Sequence, residues 1–327
     1  MEKSKKINSN KLLNTILLGN KSYIILVLLT IALSFISPLF LTQSNILNVL
    51  RQVCVTTIAC VGFTLILGSG HMDLSVGMNL CLVGIVMGKL LISGVPIWIT
   101  IILGILLGAA CGMVNGALIT IFSLPPFIAT LATNSVFKGV GYVITKNVPI
   151  SNLPAEFVNI GQGYLWHIPI PIYIMVASII IMWFIINRTT FGRHAIAMGG
   201  NAEAARVSGV RIDIVRIKAF ALLGAFTALA SVVQTARSAS AQLTAGQDLS
   251  MDAIAAVVIG GTSMKGGNAN ILGSFAGCLI VGIVNNGLNL LRVDANWQIV
   301  AKGLLILFAV VLDVVTTRIY ERLSTKA

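Results

Sequence analysis

Long apolar runs separated by short polar breaks occupy nearly the whole chain. Runs bounded by Gly, Pro, Asn or charged residues lie near 22–42, 46–69, 74–93, 97–122, 126–144, 166–187, 214–237, 250–264, 270–291 and 297–317. About 20 apolar residues suffice for one helical crossing of a bilayer. The pattern therefore predicts an all-α, polytopic membrane helix bundle of about ten transmembrane helices. Two runs are poorer than the rest. Residues 250–264 are short and rich in Ala and Gly, and 44–75 includes Arg51, Ser69, His71 and Asp73. Interrupted helices are expected in both, an arrangement that membranes tolerate only where protein surrounds the irregular backbone.

Composition strengthens this reading. Hydrophobic residues make up 57% of the chain, charged residues only 10%, and the mean hydropathy is +0.95. A soluble domain carries about 25% charged residues, so this much apolar surface needs lipid as a second solvent. The net charge of +12 does not indicate nucleic acid, because the basic residues are not interleaved with aromatics along one face. They gather instead at three places: Lys3, Lys5, Lys6, Lys11 and Lys21; Arg188, Arg193, Arg206, Arg211, Arg216 and Lys218; and Arg318, Arg322 and Lys326. The positive-inside rule puts all three in the cytoplasm. That orientation requires an even number of crossings between them, which the six runs before residue 188 and the four after residue 213 satisfy. The expected organisation is a basic cytoplasmic segment 1–21, one transmembrane domain 22–317 with a cytoplasmic loop at 188–213, and a basic tail 318–327. The first run is too long for a cleaved leader and has no small-residue cleavage site, so it is expected to be a retained span.

Small residues and internal echoes suggest how the helices pack. Gly104, Gly108, Gly112 and Gly116 recur every fourth position, the spacing that lets helix backbones approach closely in lipid. Gly112-Met-Val-Asn115-Gly-Ala-Leu118 resembles Gly282-Ile-Val-Asn285-Asn-Gly-Leu288, and Met72-Asp73 echoes Met251-Asp252. Each pair lies five runs apart, an odd number, so equivalent segments would cross in opposite directions as in an inverted repeat. Coincidence among common membrane residues is the competing explanation.

Candidate chemistry is sparse. No GxxxxGK[ST] phosphate loop occurs. The three histidines show no zinc spacing, and Cys54, Cys60, Cys81, Cys111 and Cys278 form no CxxC pair, so no metal or cofactor is expected. His167 beside Trp166 reads as an interfacial anchor. Arg51, Lys89, Lys138 and Lys302 sit near run ends, from which long side chains snorkel to water. Asp73, with Ser75 in the glycine-flanked stretch Gly68 to Gly77, either shapes a translocation route or caps a helix. Asn79, Asn115, Asn134, Asn285, Asn286 and Asn289 lie within apolar runs. There they either line a path for a neutral polyol or hydrogen-bond between helices. In the central loop, Asn201 is placed as an N-cap, Ala202 to Val207 favour helix and Gly209 is a stop. A short helix on the cytosolic face, with no lipid to span, is available to a partner.

These segments resemble the inner-membrane permeases of monosaccharide ABC importers, the ribose, xylose, arabinose, galactose and allose group. The resemblance rests on Gly70-His-Met-Asp-Leu-Ser-Val-Gly77, Asn115-Gly116, Pro125-Pro-Phe-Ile-Ala-Thr-Leu131, the loop from Phe191-Gly-Arg193 to Gly209, and Asp252 to Ser263 with Gly266-Gly267. It implies an architecture similar to type II ABC importers in a bacterial cytoplasmic membrane, with two permease copies per transporter. It also implies partnership with a cytosolic tandem-cassette ATPase and an extracytoplasmic sugar-binding protein. Glu203, Ala204, Ala205 and Gly209 would belong to the coupling helix that seats in the ATPase. Asn268-Ala-Asn270 departs from the commoner glycine-containing string. An ion-coupled secondary transporter is the alternative, though it usually carries acidic residues at mid-membrane. An intramembrane enzyme would need a nucleophile and base that this chain does not display.

Overall fold

The computed structural model describes residues 21–324; the basic stretch 1–20 and residues 325–327 lie outside the described residues. Helices account for nearly all of it. They are α1 (Lys21–Ile36), α2 (Gln43–Gly68), α3 (Val76–Ile92), α4 (Ile97–Ile121), α5 (Pro126–Thr145), α6 (Ala155–Gln162), α7 (Ile170–Arg188), α8 (Thr190–Gly200), α9 (Ala202–Val207), α10 (Ile212–Ser238), α11 (Leu249–Ile259), α12 (Ile271–Leu290) and α13 (Ala295–Ser324). Two-residue strands β1 (Tyr164–Leu165) and β2 (Ile168–Pro169) make a small antiparallel hairpin before α7.

Local sequence explains the helix starts. Thr42, Thr189, Asn201 and Asn270 each accept a backbone N–H at the first turn of α2, α8, α9 and α12, satisfying donors that a helix leaves free. Pro96, Pro125, Pro154 and Pro169 precede α4, α5, α6 and α7, where a missing N–H costs nothing and the residue before is already extended.

Each of the ten predicted runs contains a helix. Six of them, α2, α4, α5, α7, α10 and α12, are long and apolar enough to cross a membrane; α1, α3 and α11 and the apolar part of α13 are shorter. The two expected interruptions are present. The chain leaves helix at 69–75 before α3, and α11 has only 11 residues, ending at Ile259 rather than near 264. Two boundaries differ from the sequence reading. α1 stops at Ile36, two residues before Pro38, not at 42, and α7 begins at Ile170 because 164–169 are spent on the hairpin. Trp166 and His167 form its turn with positive φ, as a two-residue hairpin loop demands.

α2 and α10 form the centre of the bundle. Some 78% and 72% of their most apolar stretches are buried, against 28% for α4, α5 and α7. They run antiparallel, since Gly62 abuts Leu223 and Phe226 while His71, just beyond α2, contacts Arg216 and Phe220. α4 is antiparallel to α10: added methyl groups on Gly108, Gly112 and Gly116 would meet Gly224, Phe220 and Ile217 in turn. α12 is likewise antiparallel to α2, with Ser274 beside Thr64, Gly282 on Val53 and Asn286 on Asn45. Contacts α4–α10, α3–α4, α3–α5 and α3–α10 thus recur as α12–α2, α11–α12, α11–α13 and α11–α2. Helices α2–α5 exchange with α10–α13 across an inverted two-fold relation, as the paired motifs around Asn115 and Asn285 suggested.

Candidate functional site

The break at 69–75 creates the first cluster of interest. Asp73 Oδ1 accepts hydrogen bonds from the Ser75 backbone N–H and Oγ, both at 2.7 Å. Asn115 Nδ2, from the facing turn of α4, donates to Asp73 Oδ2 at 3.2 Å and to Ser75 Oγ at 2.8 Å. One turn further along α3, Asn79 Nδ2 donates to the Gly108 carbonyl at 3.3 Å. Three of the seven residues singled out for the pathway, Asp73, Ser75 and Asn115, therefore join in a single network, Asn79 makes a separate contact one turn away, and all four are buried. In this conformation they brace the start of α3 against α4 and do not line an open channel. Ser75 at the N-cap position makes no side-chain cap bond. Asp73 instead forms an Asx-type turn two residues ahead. The Oδ1 atoms of Asn79 and Asn115 are buried without a partner. An orphaned acceptor costs about 1–3 kcal/mol, so this network holds hydrogen-bonding capacity in reserve.

The other three pathway candidates lie elsewhere. Asn134 on α5 is half-buried, Asn285 has a buried, unpartnered Oδ1, and Asn289 is exposed and accepts from Gln298 Nε2 at 2.9 Å. Asn286 forms a reciprocal amide pair with Asn45, at 3.0 and 2.8 Å. That interhelical bond is the packing role weighed for it from sequence.

The two interrupted helices meet N-terminus to N-terminus. Ser250 Oγ, in the first turn of α11, donates to the Leu74 carbonyl at 3.0 Å and accepts from the Gly77 N–H at 3.1 Å. A side chain on either Gly77 or Gly246 would collide with the other's carbonyl. Two helix N-termini, each with free N–H groups and partial positive charge, thus converge within the bundle, an arrangement that favours oxygen-rich or anionic groups over cations. Ser250 was not identified from sequence, because a serine in an Ala-rich run carries no local signal of a contact 176 residues distant.

At the end of the bundle bearing residues 188–213, three loops join through backbone. Gly267 N–H donates to the Gly68 carbonyl at 2.9 Å. Gly199, near the end of α8, sits against Gly68, Ser69 and Gly267 so closely that a Cβ would lie 2.8 Å from the Ser69 carbonyl carbon and 2.9 Å from the Gly267 nitrogen. Gly70, Gly266 and Gly267 all have positive φ, the conformation glycine adopts without penalty. Beside this junction, His71 Nε2 accepts from Arg216 Nε at 2.9 Å while Nδ1 lies 2.8 Å from the Ser69 carbonyl. The proton therefore resides on Nδ1. Burial first, and the Arg216 charge second, lower the His71 pKa from 6.5 to about 4, which keeps Nε2 free to accept. Asn270, within the departing Asn268-Ala-Asn270 string, caps α12 by accepting from Gly273 at 2.9 Å.

Helix α9 projects from this junction, only Asn201 separating it from Gly200. Asn201 Oδ1 accepts from Ala204 N–H at 3.0 Å, and Gly209, with φ +86°, ends the turn. Glu203, Ala204 and Gly209 are exposed and Ala205 is buried beneath them. Val207 is 88% exposed, an apolar tip on the surface. The Glu203–Arg206 pair at 4.0 Å is solvated and holds little on its own. The preceding helix α8 was not identified from sequence; its cap, Thr189, was the available signal.

α1 begins at this same end, where Ser22 Oγ donates to the Ile259 carbonyl at 2.6 Å. Near the start of α11, Lys302 Nζ approaches Asp248 at 3.0 Å and Asp252 at 3.8 Å. No group of three or more His, Cys, Asp or Glu side chains among the described residues is placed to hold a metal ion, and the five cysteines are free and buried.

Among curated proteins, the chain is 45% identical over 290 residues to the ribose import permease protein of Bacillus subtilis, covering 88% of this chain and 90% of the relative. It is 38% identical to the ribose import permease protein of Haemophilus influenzae over 93% of this chain and 96% of that one. The D-allose transport system permease protein of Escherichia coli is 39% identical over 89% of this chain and 90% of its own length. No solved structure matches. The family described as branched-chain amino acid transport system / permease component matches residues 45–310, a range that contains the Asp73 network, both interrupted helices and α9. This polytopic helical chain belongs to that permease family.

Proposed function

We propose that the chain is the membrane-spanning subunit of an ATP-driven importer that moves a monosaccharide, ribose or a related sugar, across a bacterial cytoplasmic membrane. The relatives named for ribose and allose support the cargo class, and the absence of a phosphate-binding loop from the sequence supports a separate ATPase. The observation that carries the mechanism is the backbone joint between α8, the turn after α2 and the turn after α11. Through it, α9 is tied to both interrupted helices.

In this reading the 188–213 end faces the cytosol together with both termini, as the basic clusters require. Glu203, Ala204, Ala205 and Gly209 form the coupling helix that seats in a cytosolic, tandem-cassette ATPase. A soluble sugar-binding protein delivers cargo at the opposite end, and a second copy of the chain or a related permease completes the conduit. ATP binding favours one arrangement of the ATPase, and its differential affinity supplies the free energy that shifts the permease between outward and inward states. Asp73, Ser75, Asn79, Asn115, Asn134, Asn285 and Asn289 supply hydrogen-bonding groups to the path as those states interchange. Buried Asn Oδ1 atoms that lack partners in this conformation suit sugar hydroxyls in another.

Reconstitution with the ATPase and receptor tests the reading. ATP-dependent ribose, allose or galactose uptake is expected, with none on an ion gradient alone; uptake on the gradient without the ATPase would sink it. Glu203→Arg should abolish co-purification of the ATPase while leaving membrane insertion intact, and normal co-purification of that variant removes the coupling assignment.

A further inference from the structure

At the end opposite α9, a polar crevice opens between α2, α6 and α10. It is lined by Asn48, Arg51, Gln52, Gln162 and Arg237, has a volume of about 330 Å³ and is open to solvent. Such a concentration of long polar side chains is unusual in a chain that is 57% hydrophobic, and it lies against the two most buried of the long apolar helices. The Arg51 guanidinium lies 5.0 Å from the centre of the Tyr164 ring, which covers one of its faces. Its Nε and Nη2 are buried and lack a hydrogen-bond acceptor. Among the described residues no carboxylate lies within ion-pair distance of Arg51 or Arg237. Gln162 Nε2 donates to the Arg237 carbonyl at 3.0 Å, fixing α6 over the crevice.

We infer that this crevice is an outer receiving site for a neutral polyol, in which the Arg51 fork donates to a pair of sugar hydroxyl oxygens. The inference rests on the importer reading above, which makes this the outward mouth.

Buried guanidinium donors without acceptors call for oxygen lone pairs. The three amides beside them both donate and accept, matching hydroxyl groups that do the same. A bare anion has no use for acceptors and would be held by two guanidinium charges too firmly to be passed on. A carboxylate in the crevice would convert it into a tight sugar-binding pocket. Without one, the site accepts cargo weakly, as a transit position must. It lies between α2 and α10, the first helix of each repeat.

The test uses the full transporter in proteoliposomes with Asn48→Cys on the permease. The five native cysteines of this chain are buried, so a membrane-impermeant maleimide, read on the separated permease polypeptide, reports on position 48. Labelling from outside is expected, slowed by millimolar D-ribose, D-allose or D-galactose and unaffected by sodium glutamate. Adding Arg51→Gln should raise the sugar concentration for half-protection by roughly tenfold, the loss of one charge-assisted hydrogen bond. Protection by glutamate and not by sugars overturns the inference in favour of a docking site for a carboxylate from the delivering protein. Protection by neither overturns it in favour of a packing role. ATP-driven sugar uptake by the unsubstituted transporter separates the two levels. If uptake is absent, the importer reading fails, whereas intact uptake with no protection of the Asn48→Cys thiol defeats only the receiving site.

Discussion

The two ends of the bundle are joined in different ways. At the α9 end, loops meet backbone to backbone through Gly68, Gly199 and Gly267, with no side chain between them. At the opposite end, backbone contacts between Ile150 and Ala241 and between Gly161 and Arg237 are supplemented by long polar side chains, the Asn45–Asn286 amide pair and Gln162 on the Arg237 carbonyl. A backbone joint has no rotamers to adjust and transmits displacement as one body, whereas side-chain links re-form at many separations. Under the proposed mechanism, a push delivered at the first end would reach both interrupted helices through that joint.

Gly199→Val should have the largest effect on this contrast. It forces a branched side chain into the Gly68 and Ser69 backbone, so ATP-driven uptake should vanish and the unfolding midpoint in detergent should fall. Near-normal uptake would show that the joint is dispensable. Asn115→Ala comes next. It removes the donor shared by Asp73 and Ser75, and by the cost of a broken buried bond should lower stability by about 1–3 kcal/mol, with uptake depressed in the same proteoliposomes. At the adaptable end, Asn45→Ala should cost only about 0.6 kcal/mol of interhelical bonding. A double-mutant cycle with Asn286→Ala should return a coupling of that size, and uptake should change less than about threefold, roughly the kinetic equivalent of that energy.

The smallest expected effect is a pH dependence at the joint. The folded His71 pKa lies near 4, below its ordinary 6.5. Above 6.5 the ring is neutral whether the chain is folded or unfolded and contributes no slope. Between 6.5 and 4 only the unfolded chain binds the proton, so stability should fall as pH drops through that window. His71→Gln should flatten this part of the stability–pH curve, as followed by thermal unfolding at about pH 7.5, 6 and 5.

Much of this was legible in the sequence because membrane helices declare themselves by apolar length and bilayer-imposed periodicity. The runs, the weakness of 44–75 and 250–264, the Asn201 cap and the Gly209 stop all follow from local chemistry. The Asp73–Ser75–Asn115 network was only partly legible. Its members stood out as polar residues in apolar surroundings, yet their mutual bonds span up to 42 positions and depend on how α4 docks. Gly199 against Gly68 was illegible for the same reason: a glycine pair signals close approach without naming the neighbour. Arg51 near a run end looked like a snorkelling side chain, and only the closure of α6 and the hairpin over it reveals buried, unanswered donors.

α3 extends over 17 residues and its repeat counterpart α11 over 11, so the two members of an interchangeable pair rest in unequal postures. If each took up the other's posture, the molecule would present the same interior to the opposite compartment, using contacts that its own second half already makes. Turning the protein around then needs no new architecture, only a trade between siblings.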